Sequence, residues 1–260
     1  MKKAIVMAVA ILWSATASLR VDAQTKEYKE LRSDHFVILY APQAETIVYK
    51  IKDDAEYFYR KIVQEFGLTR AALWAWSNRA QIVIAKDKET YVRAFGCPEW
   101  SGACVDYYNR IMYTFPGQEN FSRILSHELT HIIFREYVGY NRLPLWLDEG
   151  MAQYIEYRDS LNEQSAVSLM KQLIPGNRYL KFSDINGIYT LGNNTDVGLF
   201  YAQAFCMVYF LIKRFSREDF SEFLSYLKDG NSLDDALRKS FNGIDGMAQF
   251  EESWRRFYLL

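Results

Sequence analysis

The sequence predicts an α+β protein, with a small mixed sheet and helices in its first half and an almost wholly helical second half. Three observations predict this. The segments that read as strands, His35 to Tyr40, Gln81 to Ala85 and Val105 to Phe115, all lie before about residue 116. Apolar residues at helical spacing dominate from about residue 120 onward. Half of the 260 residues are hydrophobic, which is enough for one large core or two tightly joined lobes.

The elements follow in order. His35 to Tyr40 reads as a strand. Ile47, Ile51, Ala55, Phe58, Ile62 and Phe66 keep a helical period, and Gly67 fits a C-terminal stop. Gln81 to Ala85 is a short strand, and Asp87 can cap a helix running towards Phe95. Val105 to Phe115 predicts one extended, tyrosine-rich segment closed by Pro116-Gly117. A helix spans about Asn120 to Val138 and stops at Gly139. Pro144 suits the first turn of the next, to about Arg158. Glu163 to Ile174 is another, ending before Pro175-Gly176. Tyr179 to Asp196 reads as a long insert, either an ordinary surface loop or the rim of a cleft. Asp196 can cap an apolar helix over Val197 to Phe215, and Ser216 with Asp219 resembles a capping box. Ser232 caps a short helix, and a last one carries Phe250, Trp254, Phe257 and Tyr258.

The N-terminus has the pattern of a secretory signal. Lys2 and Lys3 precede an apolar run from Ala4 to Leu12, and small residues follow. Val21-Asp22-Ala23 is an acceptable cleavage tripeptide and Ala15-Thr16-Ala17 a rival. The expectation is a signal peptide over 1–23 and one mature domain over 24–260, with an α/β lobe to about 139 and a helical lobe from about 140. The mature protein is then secreted or periplasmic, with an uncleaved anchor as the alternative and no further membrane span expected. Net charge is −1 with both signs interspersed, which leaves no footprint for nucleic acid. The oligomeric state stays open.

Export permits disulfides. Cys97 and Cys104 bracket a loop and could staple it, or stay as two thiols. Cys206 lies in an apolar helical run and reads as a buried free thiol. Without a Cys-x-x-Cys pair, a cysteine zinc site is disfavoured.

The most informative segment is His127-Glu128-Leu129-Thr130-His131, inside the apolar run from Ile124 to Phe134. Residues i and i+4 of a helix share a face, so both imidazoles can reach one zinc ion. Glu128 follows the first histidine, where its carboxylate can take a proton from a metal-bound water. The chain has only three histidines, and two are here. A catalytic zinc site needs a third protein ligand. Between His131 and Glu149 there is room for one chain reversal, which places Glu149 about a turn and a half into a second helix, able to face the histidines.

Trp146-Leu147-Asp148-Glu149-Gly150-Met151-Ala152-Gln153-Tyr154-Ile155-Glu156 resembles the Trp-Leu-x-Glu-Gly-x-Ala-x-Tyr-x-Glu signature of gluzincin metallopeptidases. The order of the two motifs is similar to the aminopeptidase branch, and closer to the small bacterial peptidase MA-like domains. The likeness is specific over Ser126 to Glu156 and weaker at Tyr201-Ala202-Gln203-Ala204-Phe205 and at Phe241-Asn242-Gly243 with Trp254. The resemblance implies a zincin-like fold with zinc held by His127, His131 and Glu149, and Glu128 as general base and then proton donor. It offers Tyr201 as an oxyanion donor, a role weighed against plain packing. Asp148 and Gln153 could orient a histidine from behind the ligands, or serve only as surface or helix-end residues. Gluzincin aminopeptidases carry a Gly-x-Met-Glu-Asn segment before the histidine helix, whose glutamate binds the substrate amine. Asn109 to Phe115 stands there instead, without a glutamate. The expectation is therefore a secreted zinc endopeptidase acting on peptides or proteins. Asn109 to Phe115 is either a candidate edge strand for an extended substrate, with Val105, Tyr107, Asn109, Ile111, Tyr113 and Phe115 alternating with the other face, or an ordinary sheet strand with a buried tyrosine face. The alternative is a catalytically silent, zinc-stabilised binding or scaffold protein of the cell envelope.

Overall fold

The computed structural model describes residues 27–68, 78–118, 120–139, 143–158, 160–191 and 196–260. The expected signal segment and residues 192–195 of the insert lie outside them. The described residues form two compact units. One takes the chain up to Lys61 and then the stretch ending at Ile132, and the other takes Ile62 to Leu68 and everything from Ile133 on.

The first unit is built on a sheet of β1 (Lys29–Arg32), β2 (Phe36–Tyr40), β3 (Ala80–Ile84), β4 (Ala103–Asp106) and β5 (Ile111–Thr114), in the spatial order β1-β2-β3-β5-β4. Its centre is parallel, β2 on β3 and β3 on β5, and its flanks β1 and β4 are antiparallel. The sequence explains this division. β3 is buried at four of five positions, as a strand covered on both faces must be. β1 reads Lys-Glu-Leu-Arg and is largely exposed, which suits an edge. Helix α1 (Glu45–Glu65) buries the stripe Val48, Ile51, Ala55 and Tyr59. Glu56 on α1 accepts hydrogen bonds from the His35 amide at 2.9 Å and from His35 Nδ1 at 2.7 Å, tying the entry of β2 to the helix. Asp87 caps α2 (Lys88–Arg93) by accepting from the Thr90 amide. Tyr91 and Phe95 then enter a core with Val83, Tyr113 and Phe115. Cys97 and Cys104 are disulfide-bonded, with Cα atoms 5.8 Å apart.

Three expectations need correction. Val105 to Phe115 is not one strand but a hairpin, β4 and β5 joined by a turn over 107–110. Asp106 accepts from the Asn109 amide and side chain, and Arg110 takes φ 56° to turn the chain back. The alternation expected across Tyr107 and Asn109 is therefore lost. Nor is β5 an edge, because β3 and β4 flank it; it is the ordinary sheet strand with buried Tyr113, and the edge on that side is β4. Within the insert, Phe182–Asn186 forms a short helix, α6.

The second unit is helical: α4 (Leu145–Tyr157), α5 (Leu161–Leu173), α6, α7 (Val197–Arg214), α8 (Arg217–Lys228), α9 (Leu233–Ser240) and α10 (Met247–Leu259). Side chains cap most starts: Ser160, Asp196, Ser216 with Asp219 as a capping box, and Ser232. α7 packs on α4 and α5. By length and composition α7 could cross a membrane, yet 56% of it is buried within the protein. It carries the free thiol Cys206, which burial pushes up to about 12. Trp254 and Tyr258 of α10 donate to the Cys206 carbonyl, at 3.2 and 2.9 Å. Phe182 packs against Phe250 and Trp254, which anchors α6 on α10.

Glu251 fixes the same region. It accepts from the Tyr179 hydroxyl at 2.6 Å and the Phe182 amide at 3.0 Å, with Lys181 Nζ at 3.5 Å. Burial alone would raise its carboxyl, but the Tyr179 hydroxyl, the Phe182 amide and the Lys181 charge outweigh burial and hold it below its ordinary value. A carboxyl depressed in the fold stabilises above its unfolded pKa of about 4.3, and that contribution fades as pH falls through the lower folded value. Glu251→Gln should therefore melt below the wild type at neutral pH, with the gap narrowing as pH is lowered below about 4.3. Thermal melts across that range check this, and a pH-independent gap would refute it. Replacing Cys97 and Cys104 together by serine should cost about 2 kcal/mol in urea unfolding, the chain-entropy value for so short a loop.

Candidate metal centre

Helix α3 (Phe121–Val138) ends at Gly139, whose φ of 86° is the left-handed stop. Leu125 through Phe134 are all buried, so this part of the helix is covered on every side. The run includes Ser126, His127, Glu128, Thr130 and His131, a dense set of polar groups for an interior. Thr130 answers its own need by donating to the Ser126 carbonyl at 2.8 Å.

His127 and His131 lie one turn apart on one face. Their rings are 4.8 Å apart at 76°, and their Nε2 atoms are 3.1 Å apart. Two nitrogens at 2.0–2.1 Å from one tetrahedral ion stand about 3.3 Å apart, so this separation suits a shared ion. Glu149, buried on α4, completes the group. One ligand atom from each of His127, His131 and Glu149 lies within 4.8 Å of the others. Two imidazole nitrogens and one carboxylate oxygen are a donor set that suits a divalent metal ion.

The sequence of α4 shows how Glu149 is held. Every residue from Trp146 to Ile155 is buried. Trp146 Nε1 donates to Asn186 Oδ1 at 3.3 Å. A Cβ on Gly150 would lie 2.4 Å from the Ala204 carbonyl oxygen and 2.8 Å from Val208 Cγ2. The glycine beside Glu149 is thus a packing requirement, because it lets α4 meet the backbone of α7. Asp148 is not at the surface: it is 3% exposed and accepts from Arg135 Nη2 at 2.6 Å and Nε at 3.1 Å. Arg135 sits one helical turn beyond His131, so the pair fastens α4 to the end of α3. Gln153, also buried, lies one turn beyond Glu149 on the same face. Tyr201 is buried in the first turns of α7 with its ring against Phe200.

Two neighbours of the motif were not singled out from sequence. The Tyr91 phenol is raised far above its ordinary value, first by burial and further by the charge of Glu128, against a hydrogen bond with Ser101 at 2.5 Å. Ser101 belongs to the Cys97–Cys104 loop, so that loop reaches the surroundings of Glu128. The ring of Tyr107, at the hairpin turn, stands 6.0 Å from that of His131 at 83°. No periodic signal marks either contact. The Asp106-x-x-Asn109 turn chemistry was the one available hint. A separate cavity of about 390 Å³ lies at the start of α3, floored by Ile47, Ile51, Phe115 and Phe121.

The fold and the buried ligand group define a mixed α+β domain with an HxxxH-type metal site. The model of the Peptidase MA superfamily matches residues 95–259, well over half of the chain, and the chain belongs to that superfamily. No curated protein matches it.

Gly150→Ala tests the close approach. An alanine gains helix propensity, worth up to about 1 kcal/mol over glycine, yet overpacking costs about 1–3 kcal/mol. The variant should unfold at lower urea with an unchanged slope. Stability equal to or above the wild type would show that α4 and α7 do not meet there.

Proposed function

We propose that this chain is an exported, zinc-dependent metallopeptidase of gluzincin type with a zincin-like fold, and that it cleaves within peptide chains. The observation that carries the reading is the buried group His127, His131 and Glu149 with Glu128 beside it, in a chain of the Peptidase MA superfamily. His127, His131 and Glu149 would hold the zinc. Bound zinc supplies a Lewis acid for the scissile carbonyl and lowers the pKa of its water to about 7. Glu128 would take a proton from the attacking water and pass it to the leaving amine. Its buried setting strengthens charge interactions and limits bulk water. Tyr201 would donate to the developing oxyanion.

Two features favour an endopeptidase over an aminopeptidase. The segment Asn109 to Phe115 supplies no carboxylate for a free substrate amine. Strand β4 pairs on one side only among the described residues, so its other side can accept an extended peptide that continues in both directions. The basic and apolar N-terminal segment and the Cys97–Cys104 disulfide support export, since disulfides persist in oxidising compartments.

The test uses protein from Gln24 onward. Glu128→Gln should keep one zinc per chain and lose at least about a hundredfold in peptide-library cleavage. Glu149→Ala should lose the metal. Zinc in wild type and Glu128→Gln with cleavage in neither would replace this reading with a silent, metal-stabilised binding protein.

A further inference from the structure

We propose that Tyr107 is a positioning residue for the metal ligand His131. This rests on the metallopeptidase reading above, and it concerns a side chain that lies outside both sequence motifs. Tyr107 is the first residue after β4, at the tip of the hairpin. The tip is held from two sides. The buried carboxylate of Asp106 accepts from the Asn109 amide at 3.1 Å and from Asn109 Nδ2 at 2.7 Å. Arg110 adopts a left-handed φ of 56° to lead into β5. Its immediate neighbour Tyr108 is 75% exposed, whereas Tyr107 is half-buried with its ring edge-on to His131.

His131 therefore meets rings from two elements. His127 lies against it from its own helix, and Tyr107 from the hairpin, each close to perpendicular. The terminal torsion of an imidazole is broad and roughly two-fold, so contacts decide which way its nitrogens point. Groups that fix the orientation of a metal ligand typically change metal affinity by tenfold or more when removed. The histidine motif supplies the spacing of the two nitrogens. The hairpin, fixed by its own turn, supplies the wall that orients one of them.

The chain contains only three histidines, so their ring protons form a simple NMR spectrum. The experiment compares wild type, Tyr107→Leu, Tyr107→Phe and Tyr108→Leu in three measurements: histidine resonances of the metal-free protein, zinc affinity by chelator competition, and the visible spectrum with cobalt. Tyr107→Leu should shift the His131 ring resonances, weaken zinc about tenfold and alter the cobalt spectrum. Tyr107→Phe should restore all three, and Tyr108→Leu should change none. Unmoved His131 resonances in Tyr107→Leu would overturn the contact. Moved resonances with wild-type zinc affinity and cobalt spectrum would overturn the positioning role. Failure of Tyr107→Phe to restore them would overturn the ring as its cause. A wild type that shows the ring contact but binds no zinc would overturn the metallopeptidase reading, and this role with it, while the NMR arm still reports the contact.

Discussion

The structure depends on placing ionisable side chains inside helices that have no solvent face. Over Leu125 to Phe134 in α3 and Trp146 to Ile155 in α4, every residue is buried. An interior helix is ordinarily apolar all round. Here the two helices carry two histidines, two glutamates and an aspartate among their covered residues. Burying such groups is costly unless each has a counterpart. The Arg135–Asp148 pair is one counterpart that the chain itself supplies. The geometry of His127, His131 and Glu149 is what a divalent ion would satisfy.

The supports of this arrangement are small and local. Gly150 removes a methyl group where α4 meets the Ala204 carbonyl, so Glu149 is carried on a helix seated directly on another backbone. In the first unit, the disulfide loop reaches Tyr91 through Ser101, and Tyr91 feels the charge of Glu128. The hairpin tip reaches His131 through Tyr107. The His-Glu-x-x-His segment lies on one helix, but residues from a loop and a hairpin stand around its side chains.

Much of this was legible in the sequence, for identifiable reasons. Helix starts at Asp87, Ser216 and Ser232 were readable because a side chain three residues before an amide leaves a chemical mark. That His127 and His131 share a face was readable because helical spacing fixes which residues stand together. What escaped depends on tertiary context. β1 has four residues with mostly charged side chains, so no apolar alternation announces it. The turn at 107–110 lies in a tyrosine-rich run whose strand propensity masks it, and it shows only in the spacing of Asp106 and Asn109. Asp148 reads as a helix-start acid until Arg135 is brought beside it, a pairing that no local pattern contains. The contact of Tyr107 with His131 joins two elements through a turn whose geometry is set residue by residue.

The covered state of α4 has a consequence for evolution. On an ordinary surface helix, ligand residues can be lost while the exposed half drifts and the fold survives. On α4 there is no exposed half, so nearly every position is answerable to packing. A descendant of this chain that replaced Glu149 would still need the tryptophan, glycine and alanine around it for packing. The surrounding pattern would therefore outlast the carboxylate, and a sequence that kept Trp146, Gly150 and Ala152 but replaced the glutamate would be the trace of a fold retained for its packing alone.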